Sequence, residues 1–175
     1  MIMKLTKHYI FFFILLFYQT GFLYSQELLL SSKNLLDKLT NQSEIKLNGI
    51  RLELQIRQPI DHNNPDAGYF EQMVYLLHKD FNKPVVLVTE GYAARPNATN
   101  ELTKLLDANQ IIVEHRYFGK SLLDSLDYQF LNIRQAASDH HHITTLFKQL
   151  YMGKWIATGI SKGGQTGCSE SEISF

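Results

Sequence analysis

Gly159-Ile160-Ser161-Lys162-Gly163, followed at once by Gly164, is the stretch of this 175-residue chain whose residue types and spacing point to covalent chemistry. The apolar run "WIATGI" leads straight into the serine. A serine with glycine two positions away on either side fits a sharp strand-to-helix turn, because small neighbours avoid clashes where the chain doubles back. Such a turn lifts Oγ clear of the sheet and aims the Lys162 N–H, at the helix start, toward a developing oxyanion. That is the chemistry of acyl transfer. The pattern alone is weak, since small residues cluster in ordinary loops, and a glycine-rich loop with a surface serine is the alternative. The preceding strand-like run is what raises it.

A serine hydroxyl is a poor nucleophile unless a histidine accepts its proton and a carboxylate fixes that histidine's tautomer. All seven histidines (His8, His62, His78, His115, His140, His141 and His142) precede Ser161, and Glu170 and Glu172 are the only acidic side chains after it. Asp139-His140-His141-His142 invites a metal reading. Consecutive helical residues point about 100° apart, so of these only Asp139 and His142 share a face. A solvated helix face and no metal are therefore expected. Glu114-His115-Arg116 ends another apolar run; these charges are expected to be structural, with Glu114 paired to Arg116 or across the loop.

The elements that must position these residues follow from periodicity. Residues 45–60 alternate apolar and polar as a half-buried strand does, with Asn48-Gly49 as a bulge or turn, and "DHNNPDAG" connects to a second strand, "YFEQMVYLLHK". "KPVVLVTE", "NQIIVEHR" and "KWIATGIS" are continuous apolar runs of the kind found in strands covered on both faces. Between them, residues 97–106 (Leu102, Leu105 and Leu106 apolar) and 131–150 (Ile133, Ala136, Ala137, Ile143, Leu146, Phe147 and Leu150 on one stripe) read as helices, and a further helix should start at Ser161. Two antiparallel strands followed by βα units give an α/β fold.

Residues 1–25 read as an export signal, with Lys4 and Lys7 before a run too short to span a bilayer comfortably, cleaved near Ser25 or Gln26. An uncleaved anchor is the alternative. Residues 26–44 are an amphipathic lead-in, 45–166 the main domain and 167–175 an atypical polar tail. Lys plus Arg and Asp plus Glu number 17 each; without Lys4 and Lys7 the balance is about minus two, which disfavours nucleic acid as partner. Cys168 is the only cysteine, so no intrachain disulfide forms and one apolar core must carry stability. No cofactor is expected, and no stable membrane association once the signal is removed.

The order of elements up to the elbow is that of a truncated α/β-hydrolase fold, in which the second oxyanion donor comes from the loop after the third strand. Here that loop is Thr89-Glu90-Gly91-Tyr92-Ala93, with Gly91 or Tyr92 as the candidate donor. In order, "RQPIDHNNPDAGYFEQMVYLLHKD", "VVLVTEGY", "IIVEHRYFGKS", "QAASDHHHI" and "WIATGISKGGQT" resemble the amino-terminal half of secreted bacterial tripeptidyl aminopeptidases of PS-10 type, over roughly residues 50–166. More loosely they resemble the Pro-X carboxypeptidase and dipeptidyl peptidase II family, which usually has an aromatic residue where Lys162 stands. The resemblance implies an exported, periplasmic or extracellular serine peptidase acting on peptides, with Ser161 as nucleophile and Lys162 N–H as oxyanion donor. Glu90, beside the oxyanion loop, could receive a substrate's free α-amino group. The triad Asp and His of such enzymes follow the serine. This chain is therefore expected to be a fragment, silent on its own and marginally stable because its last strand is an apolar edge. Another acyl hydrolase such as an esterase, and a non-catalytic exported binding protein, are the competing readings.

Overall fold

The computed structural model describes residues 49–173, apart from residue 97 and residues 124–126. The expected export signal and lead-in lie outside the described residues. β1 (Ile50–Pro59) and β2 (Tyr69–His78) form an antiparallel pair in which Ile50 faces His78 and Pro59 faces Tyr69. The turn-forming stretch between them closes with the Ile60 N–H donating to the Gly68 carbonyl at 2.9 Å. β1 buries Leu54, Ile56 and Gln58 and exposes the residues between, as the alternation requires.

β3 (Val85–Thr89), β4 (Asn109–Val113) and β5 (Trp155–Gly159) are parallel to one another, and the sheet order is β1-β2-β4-β3-β5. Every residue of β4 is buried, as the continuous apolar run foretold. Two of them, Asn109 and Gln110, are polar, and each spends its amide on neighbouring backbone. Asn109 accepts from the Lys79 N–H at 2.7 Å and donates to the Asp80 carbonyl at 2.7 Å, which fixes the β2–β3 turn. β5 departs from the expectation of two covered faces: it pairs only with β3 among the described residues, and Ile156 is 38 % exposed.

Among the described residues three α-helices connect or follow the strands: α1 (Glu101–Leu105), α2 (Ile133–Lys148) and α3 (Lys162–Ile173). Asn100 caps α1, its side chain accepting from the Leu102 N–H, and Asn132 caps α2 in the same way from Gln135. α1 is only five residues long, and its buried residue is Thr103, whereas Leu105, expected on the inner face, is 79 % exposed. The reason is local: the Thr103 hydroxyl donates to buried Gln110 at 2.8 Å, which turns Thr103 inward and puts Leu105, two positions on, on the outer face. α2 buries Ala136, Ala137, Ile143, Leu146 and Phe147 and packs against α3, while Ile133, expected on the stripe, is exposed at its first turn. The segment after β4 is held by a small satellite core of Phe70, Tyr117 and Leu123.

The expected solvated face at residues 139–142 is not what forms. Asp139 and His140 are fully buried on the inner side of α2, and only His141 and His142 are partly exposed. A carboxylate can lie there because a guanidinium from beyond β4 meets it.

Candidate active site

β5 ends at Gly159 and α3 begins at Lys162, so the chain reverses through Ile160 and Ser161. Ser161 has φ +56°, a left-handed conformation that strains any residue with a Cβ. The tightness comes from the glycines. A Cβ on Gly163 would overlap the Thr89 carbonyl, and one on Gly159 would overlap the Thr89 hydroxyl and come within 2.6 Å of the Gly163 carbonyl carbon. Thr89 Oγ1 donates to the Gly163 carbonyl at 2.7 Å, tying the end of β3 to the first turn of α3. Ser161 itself is exposed, and its hydroxyl has no hydrogen-bond partner among the described residues. It opens onto a cleft of about 500 Å³ whose walls include Glu90, Gly91, Tyr92, Arg95 and Ile160.

The loop after β3 lies directly on the start of α3. A Cβ at Gly91 would stand 2.9 Å from Lys162 Cβ and 3.0 Å from the Gly163 nitrogen, so glycine alone permits this approach. The Gly91 and Tyr92 N–H groups make no hydrogen bond among the described residues. The Lys162 N–H, first in α3, has no intrahelical acceptor. Loop and helix start are thus adjacent, each with N–H groups to spare, which is the raw material for stabilising an oxyanion. The Glu90 carboxyl is raised above its ordinary value by burial, an effect reinforced by Glu114 and partly offset by Arg95.

Two residues brace this cleft that sequence reasoning did not single out for it. Gln110 accepts from the Asn100 N–H at 2.7 Å and donates to the Ala98 carbonyl at 2.9 Å, holding the far wall. Thr89, described above, holds the near one. A polar residue inside or at the end of an otherwise apolar strand run was the available signal for both.

Glu114 and Arg116 are both buried but do not pair with each other. Glu114 accepts from the N–H groups of Ala94, Lys120 and Ser121 and from the Ser121 hydroxyl, which ties the loop after β3 to the loop after β4. Arg116 forms a two-pronged pair with Asp139, both bonds at 2.8 Å, and its remaining N–H groups go to the Pro59, Ile60 and Phe130 carbonyls. All five guanidinium donors are used. Burial would raise the Asp139 carboxyl; the Arg116 charge and hydrogen bonds, joined by His62 at 2.7 Å, outweigh it and hold the carboxyl below its usual range.

Four of the described histidines hydrogen-bond to groups other than Ser161. His62 meets Asp139, His78 meets Tyr151, His142 meets Gln58, and His115 Nδ1 meets the Arg116 carbonyl. His115 Nε2, both ring nitrogens of His140 and His141 Nδ1 are buried without partners among the described residues. Burial lowers His140 to about 4 and also depresses His115. Among the described residues no group of three or more His, Cys, Asp or Glu could hold a metal ion.

Sheet order, crossover pattern and elbow define an α/β-hydrolase fold. A solved cold-adapted esterase from an Arctic intertidal metagenomic library superposes with a TM-score of 0.50, over 77 % of this chain and 60 % of its own, at 13 % identity. The model of the PS-10 peptidase S37 family matches residues 37–172, and the chain belongs to that family. It is 45 % identical over 116 residues to the prolyl tri/tetrapeptidyl aminopeptidase of Streptomyces mobaraensis, covering 66 % of this chain and 24 % of that protein. It is 31 % identical over 106 residues to the serine protease vicPb of Bipolaris victoriae, covering 49 % of this chain and 19 % of that one. The chain thus spans about a quarter or less of the length of these curated relatives.

Proposed function

We propose that Ser161 is the nucleophile of an exported serine peptidase of aminopeptidase type, which removes short peptides from the amino terminus of its substrates through an acyl-enzyme. The observation that carries this is Ser161 itself: a strained, exposed serine between β5 and α3, its hydroxyl uncommitted, facing a cleft. Membership of the peptidase family favours amide over ester substrates. Attack would bond Oγ to the scissile carbonyl carbon and pass the hydroxyl proton to an imidazole. The carbonyl π electrons move onto oxygen, which lies between the Lys162 N–H and the Gly91 or Tyr92 N–H. Collapse expels the amine with that proton and leaves the peptide acyl group on Ser161, from which water releases it.

The imidazole and its carboxylate belong, on this reading, to residues outside those described, since no described histidine hydrogen-bonds to Ser161. The described part is the nucleophile-bearing portion of the enzyme and turns over peptides at background rate by itself. Glu90 receives the substrate's α-ammonium: a carboxylate already stripped of part of its water gains more from an incoming cation than a solvated one does.

The test supplies the missing proton acceptor from solution. The chain is incubated with imidazole and a tripeptidyl p-nitrophenyl ester, either with a free amino terminus or acetylated, and its intact mass is followed. The expected result is an acyl adduct, formed faster from the free-amino ester, with that preference lost in Glu90→Gln. Equal rates from both esters would remove Glu90 from the reading, and no adduct from either would remove the nucleophile.

A further inference from the structure

We propose that the Lys162 side chain is a positioning group for the oxyanion-donating loop, its ammonium seated on the rings of Tyr92 and Phe118. The inference rests on the reading of Ser161 and its neighbouring N–H groups as an acyl-transfer site, and it gives the side chain of Lys162 a task separate from that of its backbone.

Three segments meet at this side chain. Lys162 is the first residue of α3, Tyr92 lies in the loop after β3, and Phe118 lies in the loop after β4. Lys162 Nζ is 5.0 Å from the Phe118 ring centroid and 5.8 Å from that of Tyr92, within the reach of a cation–π contact. The two rings meet edge to face, 5.2 Å apart at 86°. Phe118 is edge-on in turn to His115 at 5.6 Å, and the His115 N–H donates to the Tyr92 carbonyl at 3.2 Å. The base of the lysine side chain completes the assembly, because its Cβ occupies the space over Gly91.

The charge accounting favours this arrangement over a lysine extended into water. Lys162 is half-buried and makes no ion pair among the described residues. Its ammonium is held below its ordinary pKa by burial, so part of its hydration is already gone. The ring faces are the groups that compensate. Tyr92 is 59 % exposed and has little packing of its own to hold it, so the cation and Phe118 are what order the ring and, through it, the adjoining Gly91 and Tyr92 N–H groups. Donor placement within a fraction of an ångström matters for an oxyanion, and one residue that supplies a donor while clamping the loop carrying the other keeps the two in register.

Two measurements on the resting chain test this. Hydrogen exchange of the His115 amide, which donates to the Tyr92 carbonyl, and of the Ala94 amide, which donates to Glu114, should be about tenfold faster in Lys162→Met, and Lys162→Arg, which keeps a cation able to stack on the rings, should restore it to within about twofold. Amides of α2 should be unchanged. A Lys162→Met loop that exchanges like the parent, or a Lys162→Arg that behaves like Lys162→Met, would overturn the proposal. Should Lys162→Met lose its fold, the parent protein still decides by NMR. The Lys162 ε-methylene protons should lie upfield through ring current and return to ordinary shifts in Phe118→Leu, while ordinary shifts in the parent would refute the contact. Neither measurement uses substrate or Ser161 reactivity, so failure of the peptidase reading and failure of this one are separately visible.

Discussion

Ser161 and the Arg116–Asp139 pair illustrate two kinds of residue in this chain, one readable at a glance and one not. The serine announces itself because its constraints are local: two glycines, an apolar run and a helix start all fall within ten positions. Asp139 gives no such notice. Its partners are 23 and 77 positions away in sequence, so a helical run of Asp and His reads as a wetted face until Arg116 and His62 are brought beneath it. Replacing Arg116 by Met leaves the Asp139 carboxylate buried with His62 alone and should destabilise the fold by about 3–5 kcal/mol. Arg116→Met combined with Asp139→Leu should lose less than that, and urea denaturation of the three proteins checks both figures.

The buried rings of His140 and His115 carry a pH signature at the same scale. Both are held neutral, chiefly by burial; for His115 the Arg116 carbonyl partly opposes this, and for His140 the Asp139 charge does. Unfolded, each would titrate at about 6.5, so below there the unfolded chain binds more protons than the folded one, for His140 down to about 4. Stability is therefore complete above that window and falls as the pH drops through it, by on the order of 3 kcal/mol for His140. His140→Phe should flatten the slope of urea midpoint against pH between 7.5 and 4.5. An unchanged slope would mean that the ring titrates normally.

At the scale of elements, strand type, order of elements and the elbow were all legible, because each rests on periodicity or on glycine spacing. What was not legible is how one element seats on another. Leu105, Leu106 and Ile133 look like core residues by pattern and are exposed, since the Thr103–Gln110 bond sets how α1 rolls and α2 is only beginning at Ile133. The seating of α3 on β3 depends on Gly163 touching the Thr89 carbonyl. Gly163→Ala should force the helix away, destabilise the protein by about 1–3 kcal/mol and slow acylation of Ser161, whereas Gly164→Ala, with its nearest contact at 3.0 Å, should do less. Thermal melts and adduct formation rates measure the two consequences separately.

For the molecule as a whole, the sheet has an open edge at β5 among the described residues, with Ile156 at 38 % and Ile160 at 89 % exposure. Backbone groups and apolar side chains together make such an edge a template for association. Sedimentation velocity should find this chain self-associating as its concentration rises, and Ile156→Lys should shift it toward monomer. Acyl transfer by this chain depends on a single atom, Ser161 Oγ. With imidazole present, the chain should take up one phosphonyl group from a fluorophosphonate probe, and peptide mapping should find it on Ser161 and find none in Ser161→Ala. A label on another residue, or one that persists undiminished in Ser161→Ala, would contradict the account.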